Sequence, residues 1–96
     1  MVETAPVDNE EFERLVELMK SRMDLVDPFP KDFKLKLFSA GKQGKFGDNT
    51  EPKPGMLKIK EKMKWQAWMD RKGQDQEECK REFLELAKQV LATDKK

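Results

Sequence analysis

The sequence predicts an all-α domain, and the prediction rests on two helix-capping patterns and a helical repeat of apolar residues. Asp8 is followed three residues later by Glu11, and Asp75 by Glu78, which is the pairing that caps a helix N-terminus. After each pair, apolar residues recur every three or four positions, as they do on one face of a helix. The 96 residues have room for a single domain, with residues 1–8 and 93–96 expected to be flexible ends.

Three helices follow directly from this spacing. The first is expected over about 9–23, where the apolar residues are Phe12, Leu15, Val16, Met19 and Met23. The last is expected over about 76–92, with an apolar stripe that starts at Cys79 and ends at Leu91. Between them, residues 60–71 are expected to form a helix that Gly73 closes as its C′ residue.

The segment from Phe33 to Ala40 fits two structures. Phe33, Leu35 and Leu37 alternate with lysines, as in a strand, but Phe33, Leu37 and Ala40 also share one face of a helix. A strand would need a partner, and the only candidate is the alternating stretch 56–60, which lies across a long loop without a hairpin signal. We therefore predict a helix, although Gly41 and Gly44 each weaken it by about 1 kcal/mol relative to alanine.

Charge is distributed unevenly along the chain, although the net charge is only +1. Residues 1–30 have a net charge of −5, residues 31–72 of +7 and residues 73–96 of −1. A basic stretch of this kind is either a solvated lysine face or a site for a polyanion, whose approach such a field would steer. Composition alone leaves both interpretations open.

The sequence does not indicate an enzyme, a cofactor or a metal site. It contains no histidine, which is the commonest general base and metal ligand. Cys79 lies on the apolar stripe of the last helix and is interpreted as a small buried hydrophobic residue. The glycine-rich stretch 37–57 is not a nucleotide-binding loop, because its Gly-Lys pairs are followed by Gln43 and Phe46 instead of serine or threonine.

Targeting signals are also absent from the sequence as given. The chain begins without a basic leader or an apolar core, and no apolar run reaches the ~20 residues that span a membrane. Its single cysteine cannot form an internal disulfide. We expect a cytoplasmic monomer that does not insert into membranes and that does not bind nucleic acid, because the basic segment lacks exposed aromatics suited to stacking on bases.

Residues 42–68 carry a resemblance to a known family. The stretches "KQGKFGD", "PKPGML" and "KMKWQAW" resemble, in order and spacing, the signature region of the acyl-CoA-binding protein family. The similarity extends through "RKG" into the last helix and back to Phe12, and so covers nearly the whole chain. The resemblance implies a small four-helix bundle that binds long-chain acyl-CoA without covalent chemistry and carries or buffers it in the cytosol.

The resemblance also implies the ligand-binding residues. Lys42 and Lys64 match the family's phosphate-binding lysines, and Lys20 matches a third basic contact. Leu35 matches an apolar contact on the second helix. Trp65 and Trp68 match the paired tryptophans of the family, and we expect them to pack inside a core this small.

This chain departs from the family at three binding positions. Phe38, Gly41 and Phe83 stand where family members usually carry tyrosine, and the chain contains no tyrosine at all. Two hydroxyls and one whole ring are therefore missing from the expected adenine site, which predicts reduced affinity for acyl-CoA. Two functions remain open: a weakened acyl-CoA carrier, or a ligand-defective helical module that serves as a protein-interaction domain.

Overall fold

A computed structural model describes residues 7–94, which form five α-helices and no strand. The helices are α1 (Asn9–Ser21), α2 (Met23–Val26), α3 (Lys31–Phe46), α4 (Ile59–Met69) and α5 (Gln76–Ala92). α3 packs against both α4 and α5, α1 packs against α5, and the one-turn α2 contacts α1 and α5. The all-α prediction is confirmed, and the four long helices are the four that the sequence predicts.

Both predicted N-caps are present. The Asp8 carboxylate accepts hydrogen bonds from the backbone N–H groups of Glu10 and Glu11, at 3.0 and 3.4 Å. The Asp75 carboxylate accepts one from the backbone N–H of Glu78 at 3.0 Å. The backbone N–H of Val7 donates to a carboxylate oxygen of Glu77 at 2.8 Å and so ties the entry of α1 to α5. Most of the predicted flexible ends, residues 1–6 and 95–96, lie outside the described residues.

The first helix is shorter than predicted and is followed by a bend. α1 stops at Ser21, and Arg22 has φ −120° and ψ 50°, which is not helical. The Arg22 guanidinium forms two hydrogen bonds of 3.0 Å with the carboxylate of Asp24, which fixes the corner before α2. Met23, predicted to end the apolar face of the first helix, therefore begins α2.

The ambiguous segment is a helix, as predicted. α3 starts directly after Pro30 and ends before Gly47, whose φ of 83° is accessible mainly to glycine. Gly44 lets α3 approach α5 closely, because a Cβ at this position would lie 3.2 Å from the backbone nitrogen of Lys80. The glycines that weaken this helix thus occupy its packed face.

The bounds of α4 differ slightly from those predicted. The helix ends at Met69 with Asp70 as its C-cap, so Gly73 is not its C′ residue as expected. Gly73, with φ 86°, instead belongs to the turn between α4 and α5. Its backbone N–H donates to the Asp48 carboxylate at 2.8 Å. This bond and one from the Gln43 side chain at 3.0 Å lower the pKa of Asp48.

The main core lies among α1, α2, α3 and α5. At its centre the rings of Phe12 and Phe83 meet edge to face, with centroids 5.4 Å apart. Phe33 packs on the outside of this core and stacks on Phe29 at 4.4 Å. The buried core residues are Phe12, Leu15, Met19, Val26, Leu37, Ala40, Phe83, Ala87 and Val90.

A buried arginine joins the turn after α4 to the rest of the bundle. The Arg71 guanidinium forms two hydrogen bonds, of 2.9 and 2.8 Å, with the carboxylate of Glu82 on α5. It also donates to the hydroxyl of Ser39 on α3 at 2.7 Å. Arg71 is 9% exposed, and its bond to Glu82 lowers the pKa of that carboxyl below its ordinary value. Sequence reasoning did not identify this residue as structural.

The two tryptophans of α4 fasten the long loop that precedes it. Trp68 is buried and its indole N–H donates to the carbonyl of Gly47 at 2.8 Å. Trp65 is half-buried and donates to the carbonyl of Glu51, also at 2.8 Å. The buried side chain of Asn49 returns a hydrogen bond to the carbonyl of Trp65 at 3.2 Å. The expected packing role is confirmed for Trp68, and both indoles hold the loop against α4.

We predict that Glu82→Gln destabilises the fold by about 1–2 kcal/mol at pH 7, because it leaves the Arg71 charge without its carboxylate. The value is at the low end for such pairs because the Glu82 side chain is 40% exposed. Folding lowers the pKa of the Glu82 carboxyl below its unfolded value of 4.5. Such a carboxyl stabilises the folded state fully when the pH is above its unfolded pKa, and this contribution is lost as the pH falls through its folded pKa. Urea unfolding at pH 7 and pH 3 should therefore show the variant close to wild type only in acid. The exposed Glu85→Gln on α5 is the control, and equal losses in both variants at pH 7 would contradict the assignment.

We predict that Trp68→Phe lowers the free energy of unfolding by about 1–3 kcal/mol, because the Gly47 carbonyl loses its donor and the core loses part of a ring. Trp65→Phe should cost less, because its ring is only half-buried. Denaturant unfolding of both variants measures the difference. If Trp65→Phe proves the more damaging change, the loop depends on Glu51 more than on Gly47.

Candidate ligand-binding site

A cavity of about 660 Å³ lies among the helices. Its interior is mostly apolar. Side chains from all five helices contribute to it: Val16, Met19, Met23, Val26, Leu35, Leu37, Phe38, Phe46, Ile59, Met63 and Phe83. An apolar cavity of this size on a small protein is the usual form of a small-molecule site.

Lysines surround this apolar interior. Seven of them line the cavity, namely Lys20 from α1, Lys31, Lys34, Lys42 and Lys45 from α3, and Lys60 and Lys64 from α4. The only carboxylate in the lining is Asp27. A low-dielectric cavity lined by charges of one sign concentrates the field and attracts ligands of the opposite sign. The lining thus combines an apolar interior with several positive charges.

All seven residues singled out from the sequence line this one cavity. They come from four helices: Lys20 from α1, Leu35, Phe38, Gly41 and Lys42 from α3, Lys64 from α4 and Phe83 from α5. The fold thus brings together residues as far apart in the chain as Lys20 and Phe83. Trp65 and Trp68 do not line the cavity, and their indole N–H groups are occupied by the loop.

Two of the lysines lie beside the same aromatic ring. The ammonium nitrogens of Lys42 and Lys64 are 5.5 and 5.1 Å from the ring centroid of Phe38. Lys42 also lies 5.2 Å from the ring of Phe46 and 5.5 Å from that of Trp68. Ring faces attract cations without neutralising them, so these ammonium groups are positioned while their charge stays available to a ligand.

Other lysines of the lining already have partners within the protein. The Lys45 ammonium lies 3.2 Å from a carboxylate oxygen of Glu13. Lys34 donates to the backbone carbonyl of Asp27 at 3.2 Å. Lys20 forms a loose pair with Glu17 at 3.7 Å, with both side chains mostly exposed. Exposed pairs of this kind are weak, so a phosphate could compete for the Lys20 ammonium.

The glycine at position 41 is in contact with the ring of Phe83. A Cβ built on Gly41 would lie 3.1 Å from Cδ1 and 3.2 Å from Cε1 of that ring. Such distances are shorter than ordinary van der Waals contact, so a larger residue at position 41 requires Phe83 to shift. Phe83 lines the same cavity as Gly41.

Sequence reasoning missed four of the lysines: Lys31, Lys34, Lys45 and Lys60. The signal was present, because Lys31, Lys34, Lys42 and Lys45 recur at intervals that fall on one side of a helix. This spacing indicates a shared face only when the segment is taken to be a helix, because in a strand the same lysines would point to both sides. Lys60 stands four residues before Lys64 on α4, so these two lysines also share one side of a helix.

Cys79 is buried and 2% exposed, as expected for a small hydrophobic residue of the stripe. Burial raises the pKa of its thiol, which disfavours the reactive thiolate.

A second, polar depression of about 330 Å³ lies near Arg71, Ser39 and Glu82, in which Arg71 is hydrogen-bonded to the other two side chains. Within residues 7–94 no group of three metal-ligating side chains is present, and no helix could cross a bilayer.

The chain is similar to known proteins in sequence and in fold. The sequence profile of a family described as "Acyl CoA binding protein" matches residues 9–87. An acyl-CoA-binding protein of Saccharomyces cerevisiae is 40% identical over 58 residues, which make up 60% of this chain and 67% of that protein. Acyl-CoA-binding domain-containing protein 6 of Arabidopsis thaliana is 37% identical over 82 residues, which make up 85% of this chain and 86% of that protein.

A solved structure is similar over nearly its whole length. The crystal structure of Oryza sativa Acyl-CoA-Binding Protein 2 superposes with a TM-score of 0.72 at 32% identity, covering 90% of this chain and 92% of that one. With a family profile that spans α1 to most of α5, relatives at 40% identity and the same helical bundle, the chain belongs to the acyl-CoA-binding protein family.

Proposed function

We propose that this protein binds long-chain fatty acyl-CoA thioesters in the lysine-lined cavity and carries or buffers them in the cytosol. The observation that supports this most is the combination of an apolar interior with seven lysines and one carboxylate around it. A coenzyme A thioester joins a long apolar chain to three phosphate groups. A free fatty acid, with its single carboxylate, carries less negative charge than this lining of lysines can bind.

The lysines beside Phe38 are the proposed phosphate contacts. Lys42 and Lys64 approach the same ring from α3 and α4, so their charges lie near each other at one end of the cavity. Phosphate accepts charge-assisted hydrogen bonds from several ammonium groups at once, and such bonds are stronger than neutral ones. Lys20 on α1 is the proposed third contact.

The apolar interior is the proposed place of the acyl chain. Leu35 and Met63 face it from α3 and α4, and Met19 from α1. Methionine side chains are flexible, so a cavity that contains several of them can adapt to an acyl chain. Binding of this kind needs no chemical step, and the buried Cys79 offers no nucleophile.

The missing tyrosines should weaken binding without abolishing it. Phe38 and Phe83 keep their ring surface in the cavity but have no hydroxyl to donate to a phosphate or to the base. Gly41 offers no surface for stacking. The cations and the apolar interior remain, which favours a weakened carrier over the ligand-defective alternative.

We predict that Lys42→Ala and Lys64→Ala each weaken binding of palmitoyl-CoA and of free coenzyme A by about 1–3 kcal/mol, because each removes a charge-assisted bond to phosphate. Binding of palmitate should not change. Isothermal titration at fixed salt measures all three ligands, and Lys88→Ala on α5, outside the cavity, is the control.

The same titrations decide between the two functions. Failure of the wild-type protein to bind palmitoyl-CoA, although it is folded, would favour the ligand-defective module. Equal binding by wild type, Lys42→Ala and Lys64→Ala would remove the phosphate assignment and leave the site to other residues.

We predict that the triple variant Phe38→Tyr, Gly41→Tyr and Phe83→Tyr binds palmitoyl-CoA at least about tenfold more tightly than wild type, because it restores stacking and two hydrogen-bond donors. Part of the gain is offset at position 41, where the new Cβ must displace the Phe83 ring. Gly41→Ala is the matched control, since it makes the same steric demand without an aromatic ring, and it should not tighten binding. A wild type that already equals the triple variant would show that another group contacts the adenine.

A further inference from the structure

We propose that this protein docks on membranes that contain anionic lipids through the apolar turn formed by Gly55, Met56, Leu57 and Lys58. The turn is closed by a hydrogen bond of 3.1 Å from the backbone N–H of Lys58 to the carbonyl of Gly55. Its two central residues, Met56 and Leu57, are 83% and 96% exposed. Such positions usually carry glycine, proline, asparagine or aspartate, so two large apolar side chains there are unusual.

The turn is open to solvent. A Cβ placed on Gly55 would have no atom within 4 Å. The base of the loop is nevertheless held in place, because Trp65 donates to the carbonyl of Glu51 and the buried Asn49 bonds to the carbonyl of Trp65. Met56 and Leu57 are thus presented on a loop with a fixed base.

Three of the large exposed apolar side chains of the described residues stand together in the stretch 56–59. Five large hydrophobic residues are exposed between residues 7 and 94: Met23, Phe46, Met56, Leu57 and Ile59. Met23, Phe46 and Ile59 line the cavity, and the other two form the apolar turn directly before Ile59. Exposed apolar surface that is gathered in one place marks an interaction site.

The charge next to the turn identifies the partner. Residues 53–64 contain five lysines and one carboxylate, Glu61. Lysines beside exposed apolar residues match the interface of a membrane with anionic headgroups, which attracts the cations and accepts the apolar side chains. Exposed apolar side chains on a turn suit a fluid bilayer, which needs no preformed pocket to receive them, whereas a protein partner would need one.

Docking in this way would place the opening of the cavity at the membrane. Ile59 and Lys60 follow the apolar turn and line the cavity, so the two surfaces are continuous. An amphiphilic ligand could then pass between the bilayer and the cavity without crossing bulk water. Docking itself does not rest on the proposed ligand, because the turn is exposed in the protein alone.

The test is co-sedimentation of the full chain, without ligand, with vesicles of phosphatidylcholine that contain about 30% phosphatidylserine. We expect binding to these vesicles, much weaker binding to pure phosphatidylcholine, and loss of binding as ionic strength is raised. Met56→Ser with Leu57→Ser should weaken binding about tenfold, because it removes the inserted side chains while the fold, checked by circular dichroism and melting temperature, stays intact.

A second pair of variants tests the charge. Lys58→Gln with Lys62→Gln should weaken vesicle binding severalfold, and neither residue lines the cavity. Lys72→Gln with Lys88→Gln changes the net charge equally, away from the turn, and should have little effect. Equal losses from the two pairs would show a general charge effect and overturn the proposal.

The remaining outcomes also decide the question. Unchanged vesicle binding by Met56→Ser with Leu57→Ser would show that the turn does not insert. Self-association of the wild type without vesicles, lost in that variant, would make the turn a contact between copies of this chain. Calorimetry with acyl-CoA in the absence of vesicles tests the proposed ligand separately, so failure of one proposal leaves the other standing.

Discussion

The Arg71 guanidinium connects the end of α4, a helix that lines the cavity, to α3 and α5. It lies in the turn after α4, yet its hydrogen bonds reach Ser39 on α3 and Glu82 on α5. A buried guanidinium that loses its carboxylate is left as an unpaired charge, which is costly in a poorly hydrated place. Moving the turn away from α5 would therefore break this pair. Because α4 carries Lys60 and Lys64, the pairing of Arg71 with Glu82 contributes to their position, together with the packing of α4 on α3.

α3 has two separate tasks, and this explains its weak sequence signal. One face, with Leu37, Ala40 and Gly44, packs into the core and against α5. The other, with Leu35 and Lys42, lines the cavity. A helix that uses two faces has no single apolar stripe, and periodicity analysis depends on one stripe. The glycines lower its helix propensity, but packing against its neighbours provides the stability that propensity does not.

Repulsion between the lysines that line the cavity destabilises the protein when no ligand is bound. Seven ammonium groups around one cavity repel one another in the empty protein. Glu13 offsets part of this repulsion through its ion pair with Lys45, and Glu17 through its looser pair with Lys20. At Lys42 and Lys64 the rings of Phe38 and Phe46 reduce the repulsion by attracting the cations while their charge stays available to a ligand. An ion pair with a carboxylate would have stabilised the fold at the expense of binding. A polyanionic ligand would relieve the repulsion and so stabilise the folded state.

The sequence by itself determined the helical class, both N-caps, the bounds of α5 and the family, because caps and apolar spacing are local properties that depend on neighbouring residues. It also identified seven residues that the fold gathers around one cavity, although only through their match to a family motif. Tertiary structure decided the rest. The role of Arg71 and the closeness of Gly41 to the Phe83 ring arise from contacts between residues distant in the chain. Local patterns hold no information about such contacts, because they form only when α3, α4 and α5 are packed together.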